Sequence, residues 1–534
     1  MHTLKKTDLS FILYFGTMTW AVFFATRFFG TNDDMLMMLL SSGMYTGTPT
    51  EYVVFENILL GQFFKHLYSY FPSVNWYVFI LTTMQVLSFT AIYYLMRDRL
   101  EKKTFLFLFV LPILYFIVEF IVYLQFTKVA FTLAIVGIIF LLLYLNERRN
   151  IYLFYAFTFI CFAYIVREHS VYATILLAIP LGGWMLIRNK DQILNFRFLG
   201  FLILLALSIV SLKMYDMNYY NSTASWKNYK ELINIRGNIY YDRSITKKCF
   251  LEQGKIYNIT QNDVTTYYKW TNDDTQVFTP ELLRHIKTAC SKGISNKFEK
   301  VKHKKFLKSF IDKLTSFDFI FIFIFMLYVL LILSRRYKIL YSLYFIYFMA
   351  ILFYLFTMTF ENRVVASLTL EFYLFALLLI HILGIKKHYI YHNVTSFGLV
   401  GLFIVSAYVS IFSNVIHKKK AFHIKTELVT LKGHYVIVSK SKNFFTYLPL
   451  DTDFNKMFKD TVYYYIGWNL SSPDNDSILD NMSNFYELAL QKENVIFYMD
   501  AHRLPVIKQY FLEHFKKEVT FHKIQDDYYK MKVI

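Results

Sequence analysis

The chain has 534 residues, of which 56% are hydrophobic and 18% are charged, and its mean hydropathy is +0.36. Soluble chains are about 45–50% apolar and about 25% charged, so this composition excludes an ordinary soluble protein. The net charge of +19 would indicate a nucleic-acid partner in a soluble protein, but in a membrane chain it first reports topology, and we expect no nucleic acid.

The apolar excess is concentrated in segments that match the thickness of a bilayer, since a spanning helix needs about 20 mostly apolar residues. Eleven such segments are found: 9–29, 76–96, 104–123, 127–145, 151–166, 171–187, 198–215, 317–334, 339–358, 365–384 and 395–416. The sequence therefore predicts a polytopic α-helical membrane protein with about 11 transmembrane helices in residues 1–416.

The charges between these segments indicate the orientation of the chain. With a cytoplasmic N-terminus, sixteen Lys and Arg residues fall in the inner segments and five fall in the first outer loop and the short outer segments. This asymmetry follows the positive-inside rule and predicts a multi-pass plasma-membrane protein whose N-terminus is cytoplasmic.

An acidic pair directly follows the first span, in the outer loop 30–75. Asp33 and Asp34 are adjacent, and repulsion together with partial desolvation tends to raise the pKa of one of them. Such a carboxylate can act as a general base on a hydroxyl group. The alternative is that Asn32-Asp33-Asp34 caps the helical stretch that follows it.

The segment 51–70 of the same loop has a helical pattern. Apolar side chains recur every fourth residue, at Phe55, Leu59, Phe63 and Leu67. Polar residues such as Glu56 and Lys65 would be costly in the middle of a membrane. We expect an amphipathic helix that lies at the outer interface.

Further charged residues lie at the outer ends of later spans. They are Lys128, Arg167, Glu168, His169, Asp216, Glu361 and Arg363. Charged groups at this depth are costly and often functional, and an arginine can bind a lipid phosphate through two hydrogen bonds. Two alternatives remain open: Arg167 and Glu168 can neutralise each other, and Lys128 can extend its amine to the interface.

Two larger polar regions complete the chain. The first is the outer loop 216–316, whose Cys249 and Cys290 either pair in an oxidising compartment or remain unpaired thiols. The second is the tail 417–534, where apolar runs alternate with helical patterns, which predicts a small extracytoplasmic α/β domain. The basic run 417–420 leaves a cytoplasmic tail as the alternative.

In this topology all the candidate residues meet at the outer membrane face, although they extend from Asp33 to Arg363 along the chain. A carboxylate that activates an acceptor hydroxyl, with cations that stabilise a departing phosphate, suits group transfer from a lipid phosphate.

The stretch NDDMLMMLLSSGMYTGTPTEYVVFENILLGQFFKHLY resembles the first outer loop of GT-C membrane glycosyltransferases of the bacterial cell-envelope type. The detailed resemblance covers about residues 30–75, and the topology is similar over 1–416. It implies Asp33 or Asp34 as the catalytic acid–base residue and a polyprenyl-phosphate sugar as donor, supplied by an upstream synthase and flippase. It implies no cofactor. Where the oligosaccharyltransferase branch has a metal-binding D-x-D, this chain has Asp-Asp, so we expect no metal.

The sequence thus predicts a hexosyltransferase that modifies an envelope polysaccharide, teichoic acid or glycolipid at the outer face. One alternative is a surface-polysaccharide polymerase or ligase, which would rely on arginines in a large outer loop. A lipid-linked saccharide flippase or transporter would need charged or helix-breaking residues deep inside several spans. A structural scaffold for envelope assembly is a further alternative.

Overall fold

The computed structural model describes residues 9–189, 195–242, 245–291, 362–382, 431, 433–439, 447–454, 461–480, 482–525 and 527–534. The protein is largely helical, with a small sheet region near its C-terminus. The predicted spans 317–334, 339–358 and 395–416 lie outside the described residues.

The N-terminal half is built from helices. They are α1 (Leu9–Thr19), α2 (Asn32–Ser42), α3 (Ile58–Tyr70), α4 (Trp76–Arg97), α5 (Lys102–Phe105), α6 (Leu111–Ile121), α7 (Phe126–Glu147), α8 (Ile151–Val166), α9 (Glu168–Arg188) and α10 (Phe196–Tyr220). Two segments are π-helical, Trp20–Phe24 after α1 and Leu106–Val110 between α5 and α6.

Four of the described helices, α4, α7, α9 and α10, are long and apolar enough to cross a membrane. Shorter apolar helices occupy Leu9–Phe24, Leu108–Ile121 and Ile151–Val166. The expectation of about 11 spans is therefore confirmed only in part, as a helical chain with several helices suited to a bilayer.

Helix α7 lies at the centre of this bundle, and α10 lies at its edge. In the most apolar 18-residue segment of α7, 89% of the residues are buried, and α7 packs against α4, α8 and α9. In the corresponding segment of α10 only 17% are buried. Leu199, Ile203 and Leu207 of α10 are at least half exposed. An exposed face this apolar is suited to lipid contact.

The predicted helix over 51–70 is wrong in its first seven residues. Helix α3 begins only at Ile58, where the side chain of Asn57 accepts a hydrogen bond from the N–H of Leu59. The preceding coil crosses α3 at Gly61, where a Cβ atom would lie 1.9 Å from the carbonyl oxygen of Glu51. Only glycine permits this approach, which fixes residues 51–57 as a packed loop.

A short pair of parallel strands joins the segment after α1 to the segment after α6 at one end of the bundle. Strand β1 (Phe28–Phe29) pairs with β2 (Tyr123–Leu124), and the N–H of Gly30 donates to the carbonyl of Leu124 at 2.8 Å. The segments that follow α1 and α6 therefore lie side by side.

The described part of the large loop after α10 contains four α-helices, and one more helix is described before the tail. They are α11 (Ala224–Tyr241), α12 (Lys247–Gly254), α13 (Gln261–Tyr268), α14 (Pro280–Cys290) and α15 (Asn362–Ile382). A disulfide between Cys249 and Cys290 joins α12 to α14.

The tail forms a five-stranded sheet with helices, as the apolar pattern predicts. The elements are β3 (Tyr435–Ser439), β4 (Val462–Tyr465), α16 (Asp476–Leu479), α17 (Phe485–Gln491), β5 (Val495–Met499), α18 (Leu504–Phe515), β6 (Val519–Gln525) and β7 (Tyr528–Val533). The order is β4-β3-β5-β7-β6, with β3 parallel to both neighbours and β7 antiparallel to β5 and β6.

The tail packs on the large loop through buried polar contacts. The carboxylate of Asp273 accepts hydrogen bonds from the hydroxyl of Tyr464 at 2.8 Å and from the N–H of Phe485 at 3.0 Å. The guanidinium of Arg236 donates to the carbonyl of Leu470 at 3.0 Å. Because buried polar groups require such partners, these contacts hold the loop and the tail together.

The tail also contacts the first loop. The N–H of Leu450 donates to the carbonyl of Arg27 at 2.9 Å, and the N–H of Tyr465 donates to the hydroxyl oxygen of Tyr45 at 3.1 Å. The tail, the large loop and the segment after α1 thus lie at the same end of the bundle.

Candidate active site

The acidic pair is at the N-terminus of α2, and its two members have different surroundings. The carboxylate of Asp33 is 25% exposed and lies 3.4 Å from the guanidinium of Arg363, which is in the first turn of α15. Arg363 also donates to the hydroxyl of Thr31 at 3.4 Å. Both contacts are long for charge-assisted hydrogen bonds, so Asp33 is accessible and only loosely held.

Asp34 is fully buried and its oxygens are occupied. One oxygen accepts from the backbone N–H of Phe126 at 2.7 Å, and the other accepts from the hydroxyl of Thr31 at 2.8 Å. Phe126 begins α7, so Asp34 satisfies a free N–H at that helix start. Burial raises the pKa of Asp34 to about 7, although these hydrogen bonds oppose the shift.

A second buried carboxylate, Glu56, lies next to Asp34. The phenolic oxygen of Tyr77 is 3.1 Å from Glu56 and 3.3 Å from Asp34. Burial, followed by the negative charge of Asp34, raises the pKa of Glu56 well above its usual range. A phenol has one hydrogen to donate, so a protonated Glu56 that donates to Tyr77 while Tyr77 donates to Asp34 accounts for both contacts. The second oxygen of Glu56 has no hydrogen-bond partner among the described residues.

Arg167 faces the same cluster from the junction of α8 and α9. Its guanidinium carbon lies 4.8 Å from the ring centre of Phe126 and 5.7 Å from that of Phe55, within the range of cation–π contacts. Burial, followed by the charge of Arg363, lowers the pKa of Arg167 to about 10, although Asp33 and other nearby carboxylates oppose this shift.

No ion pair or hydrogen bond to the Arg167 guanidinium is found among the described residues. A half-buried arginine held by two rings and without a bound carboxylate is well suited to bind an anion. The structure thus brings together four of the predicted site residues, Asp33, Asp34, Arg167 and Arg363, whose charges interact with one another.

The two residues after Arg167 point elsewhere. Glu168 accepts a hydrogen bond from the hydroxyl of Tyr164 at 3.0 Å and lies 3.9 Å from Lys213 of α10. The side chain of His169 is 76% exposed and lies 3.6 Å from the carboxylate of Glu168. Arg167 and Glu168 do not form the self-compensating pair that their adjacency suggests.

The remaining predicted residues are engaged in other contacts. Lys128 is buried and its amine lies 2.7 Å from the carboxylate of Glu119, so it joins α6 to α7. Asp216 accepts from the N–H of Ile58 at 2.9 Å and lies 2.8 Å from Lys230, so it joins α10, α3 and α11. Glu361 lies outside the described residues.

Glu56, Tyr77 and the two rings around Arg167 were not predicted as site residues. Glu56 could have been identified from the sequence, because an acidic residue in an otherwise apolar stretch is costly to bury and is often functional. Tyr77 and Phe126 could not have been identified from the sequence, because tyrosine and phenylalanine are abundant in this chain and only tertiary contacts distinguish these two residues.

One group of side chains among the described residues has the donor types of a metal site. The ligand atoms of Asp263, Glu513 and His514 lie within 4.8 Å of one another. These atoms already have protein partners: His514 is 2.7 Å from Asp263, and Glu513 accepts from the hydroxyl of Thr260 at 2.8 Å. The group therefore serves as a contact between α13 and α18 without need of an ion.

In comparisons with known proteins, no protein family, curated protein or solved structure matches the chain. An accessible carboxylate and two guanidinium groups form an arrangement that can accept a proton from one ligand and bind the negative charge of another.

Proposed function

We propose that this protein is an integral membrane glycosyltransferase. It moves a sugar from a polyprenyl phosphate to a hydroxyl of an envelope polysaccharide, teichoic acid or glycolipid at the outer face of the plasma membrane. The observation that carries the proposal is the accessible carboxylate of Asp33 beside Arg363, with Arg167 free of any ion pair among the described residues.

In the proposed reaction the acceptor hydroxyl oxygen attacks the anomeric carbon of the donor sugar. The new bond joins that oxygen to the anomeric carbon, and the bond between the anomeric carbon and the phosphate oxygen breaks. Asp33 takes the proton of the hydroxyl. The electron pair leaves with the lipid phosphate, whose charge Arg167 and Arg363 stabilise.

Asp33 is the better base of the two aspartates on physical grounds. A general base must reach a proton on the substrate, and Asp34 is buried with both oxygens already accepting hydrogen bonds. Asp34 instead holds the start of α2 against the start of α7, which fixes the position of Asp33.

Two observations support the outer face as the place of the reaction. The disulfide between Cys249 and Cys290 suits an oxidising compartment, since such bonds are rare in the cytosol. The tail contacts the first loop through Leu450 and Arg27, so both belong on the same side of the membrane. The donor, which is made on the inner face, then requires an upstream synthase and a flippase.

The test is a transfer assay in membranes that contain the full-length protein, with radiolabelled polyprenyl-phosphate hexoses as donors. We expect label to move from lipid to envelope glycan with the wild type and not with Asp33→Asn. Asp98→Asn is the matched control, because Asp98 is exposed and follows the C-terminal end of α4, whereas Tyr77 of the candidate site is at the N-terminal end of that helix. Equal transfer by wild type and Asp33→Asn would rule out the proposed mechanism.

A further inference from the structure

A polar groove lies between α11 and α14 in the large loop. It is a shallow groove, largely open to solvent, with a volume of about 630 Å³, and its polar lining residues include Glu231, Asn234, Asn238, Arg284, Lys287 and Thr288. The volume is in the range of binding sites for small ligands, but such sites are mostly apolar. Ile235 is the only apolar residue among the described residues of the lining, so much of the apolar surface of the groove comes from the aliphatic parts of its polar side chains.

We propose that this groove binds a saccharide, namely the acceptor glycan of the transferase proposed above. That the bound saccharide is the acceptor rests on the proposed function. That the ligand is a saccharide rests on the groove itself. Polyhydroxylated ligands offer many donors and acceptors beside the C–H faces of their rings, which matches a lining of amide, hydroxyl and charged groups whose aliphatic parts are also exposed in the groove.

Two amides give the groove its recognition chemistry. Asn234 and Asn238 are four residues apart on α11, so their side chains project from the same face of the helix. Neither amide has a hydrogen-bond partner among the described residues. Each can donate two hydrogen bonds and accept on its oxygen, as required to hold neighbouring sugar hydroxyls.

The charges of the groove favour an acidic saccharide. Arg284 is paired with Glu231 at 2.7 Å, so these two charges offset each other. Lys287 has no ion pair among the described residues and lines the same groove. One uncompensated cation in the lining adds attraction for a carboxylate or phosphate substituent.

The walls of the groove are held rigidly. Leu282, Leu283 and Ile286 bury one face of α14, and the disulfide at Cys290 fixes its C-terminal end to α12. A preformed groove costs less ordering entropy on binding than a flexible loop would.

The test measures binding to the full-length protein in nanodiscs by isothermal titration calorimetry. The probes are hyaluronan tetrasaccharide, which carries carboxylates, and chitotetraose, which is neutral. We expect both to bind the wild type, hyaluronan tetrasaccharide more tightly. The double variant Asn234→Ala, Asn238→Ala should weaken both by about tenfold, because each amide loses hydrogen bonds.

Two further variants make the result specific. Lys287→Ala should weaken hyaluronan tetrasaccharide and leave chitotetraose unchanged. Asn228→Ala is the matched control, since Asn228 is an exposed residue of α11 outside the groove, and it should bind like the wild type.

The inference is overturned if neither probe binds the wild type, or if the double variant binds both probes with wild-type affinity. Calorimetry needs no donor and no Asp33, so its outcome is separate from that of the transfer assay. Saccharide binding without any sugar transfer would contradict the proposed function alone. Transfer with unchanged binding in the double variant would contradict the groove alone.

Discussion

The carboxylate of Asp34 accepts a 2.7 Å hydrogen bond from the backbone N–H of Phe126, 92 residues further along the chain. Among the described residues, the carboxylate of its neighbour Asp33 makes one side-chain contact, at 3.4 Å from Arg363. Two adjacent carboxylates thus have separate roles: Asp34 joins α2 to α7, and Asp33 remains available to a substrate.

The role of Asp34 predicts a pH dependence of stability. Its pKa is raised by burial to about 7, whereas an unfolded aspartate titrates near about 3.9, so the folded state holds the extra proton between these values. Stability should therefore fall as the pH rises from about 4 to about 7. In Asp34→Asn the fall in melting temperature between these pH values should be smaller. Equal falls in wild type and variant would contradict the assignment.

Tyr77 should stabilise the pair of buried carboxyl groups. Tyr77→Phe removes the hydroxyl between Glu56 and Asp34 and should cost about 1–3 kcal/mol of unfolding free energy, because the buried O–H of the protonated Glu56 is left without an acceptor. In a double-mutant cycle with Glu56→Gln, the effects of the two changes should not add. Tyr94→Phe on the exposed side of α4 is the control. Strict additivity would show that Glu56 and Tyr77 are not coupled.

Arg167 should act on the donor through both its charge and its planar shape. Arg167→Lys keeps the charge but loses the fork geometry and the stacking on Phe126, so the KM for the polyprenyl-phosphate sugar should rise about tenfold. Arg188→Lys, at the other end of α9, should leave that KM unchanged. A wild-type KM in Arg167→Lys would exclude phosphate binding by this residue.

The disulfide should stabilise the large loop. Cys249 and Cys290 are 41 residues apart, and closing a loop of this length stabilises a fold by about 4 kcal/mol in the chain-entropy treatment. Cys249→Ser should lower the melting temperature, whereas Cys161→Ser, at a free thiol, is the control. Mass spectrometry after alkylation without reductant should find one modified cysteine in the wild type. Three modified cysteines would contradict the disulfide.

Local patterns gave the helices accurately where a helix is uniformly apolar. Residues 151–166 are both the predicted and the observed bounds of α8, because an asparagine and Arg167 delimit a run of apolar residues. The segment 51–70 failed in its first seven residues, because the contact between Gly61 and Glu51 fixes a loop there and no local pattern reveals it.

Part of the candidate site was also predictable from local sequence patterns. Asp33 and Arg167 were found because charges at the ends of apolar segments must meet at one membrane face. The separate roles of Asp33 and Asp34 were not predictable, since they depend on the N–H of Phe126 and on the Thr31 hydroxyl. Lys128 and Asp216 have the same sequence signal as Arg167, yet tertiary contacts engage both of them.

The most direct test compares the transfer rates of Asp33→Asn and Asp34→Asn from a labelled polyprenyl-phosphate hexose, per folded molecule. If Asp33 is the base, its variant should lose about 10²–10⁴-fold in rate, the contribution of general-base catalysis. Asp34→Asn should lose stability first and should retain more activity than Asp33→Asn. Full activity of Asp33→Asn beside an inactive, folded Asp34→Asn would contradict the account.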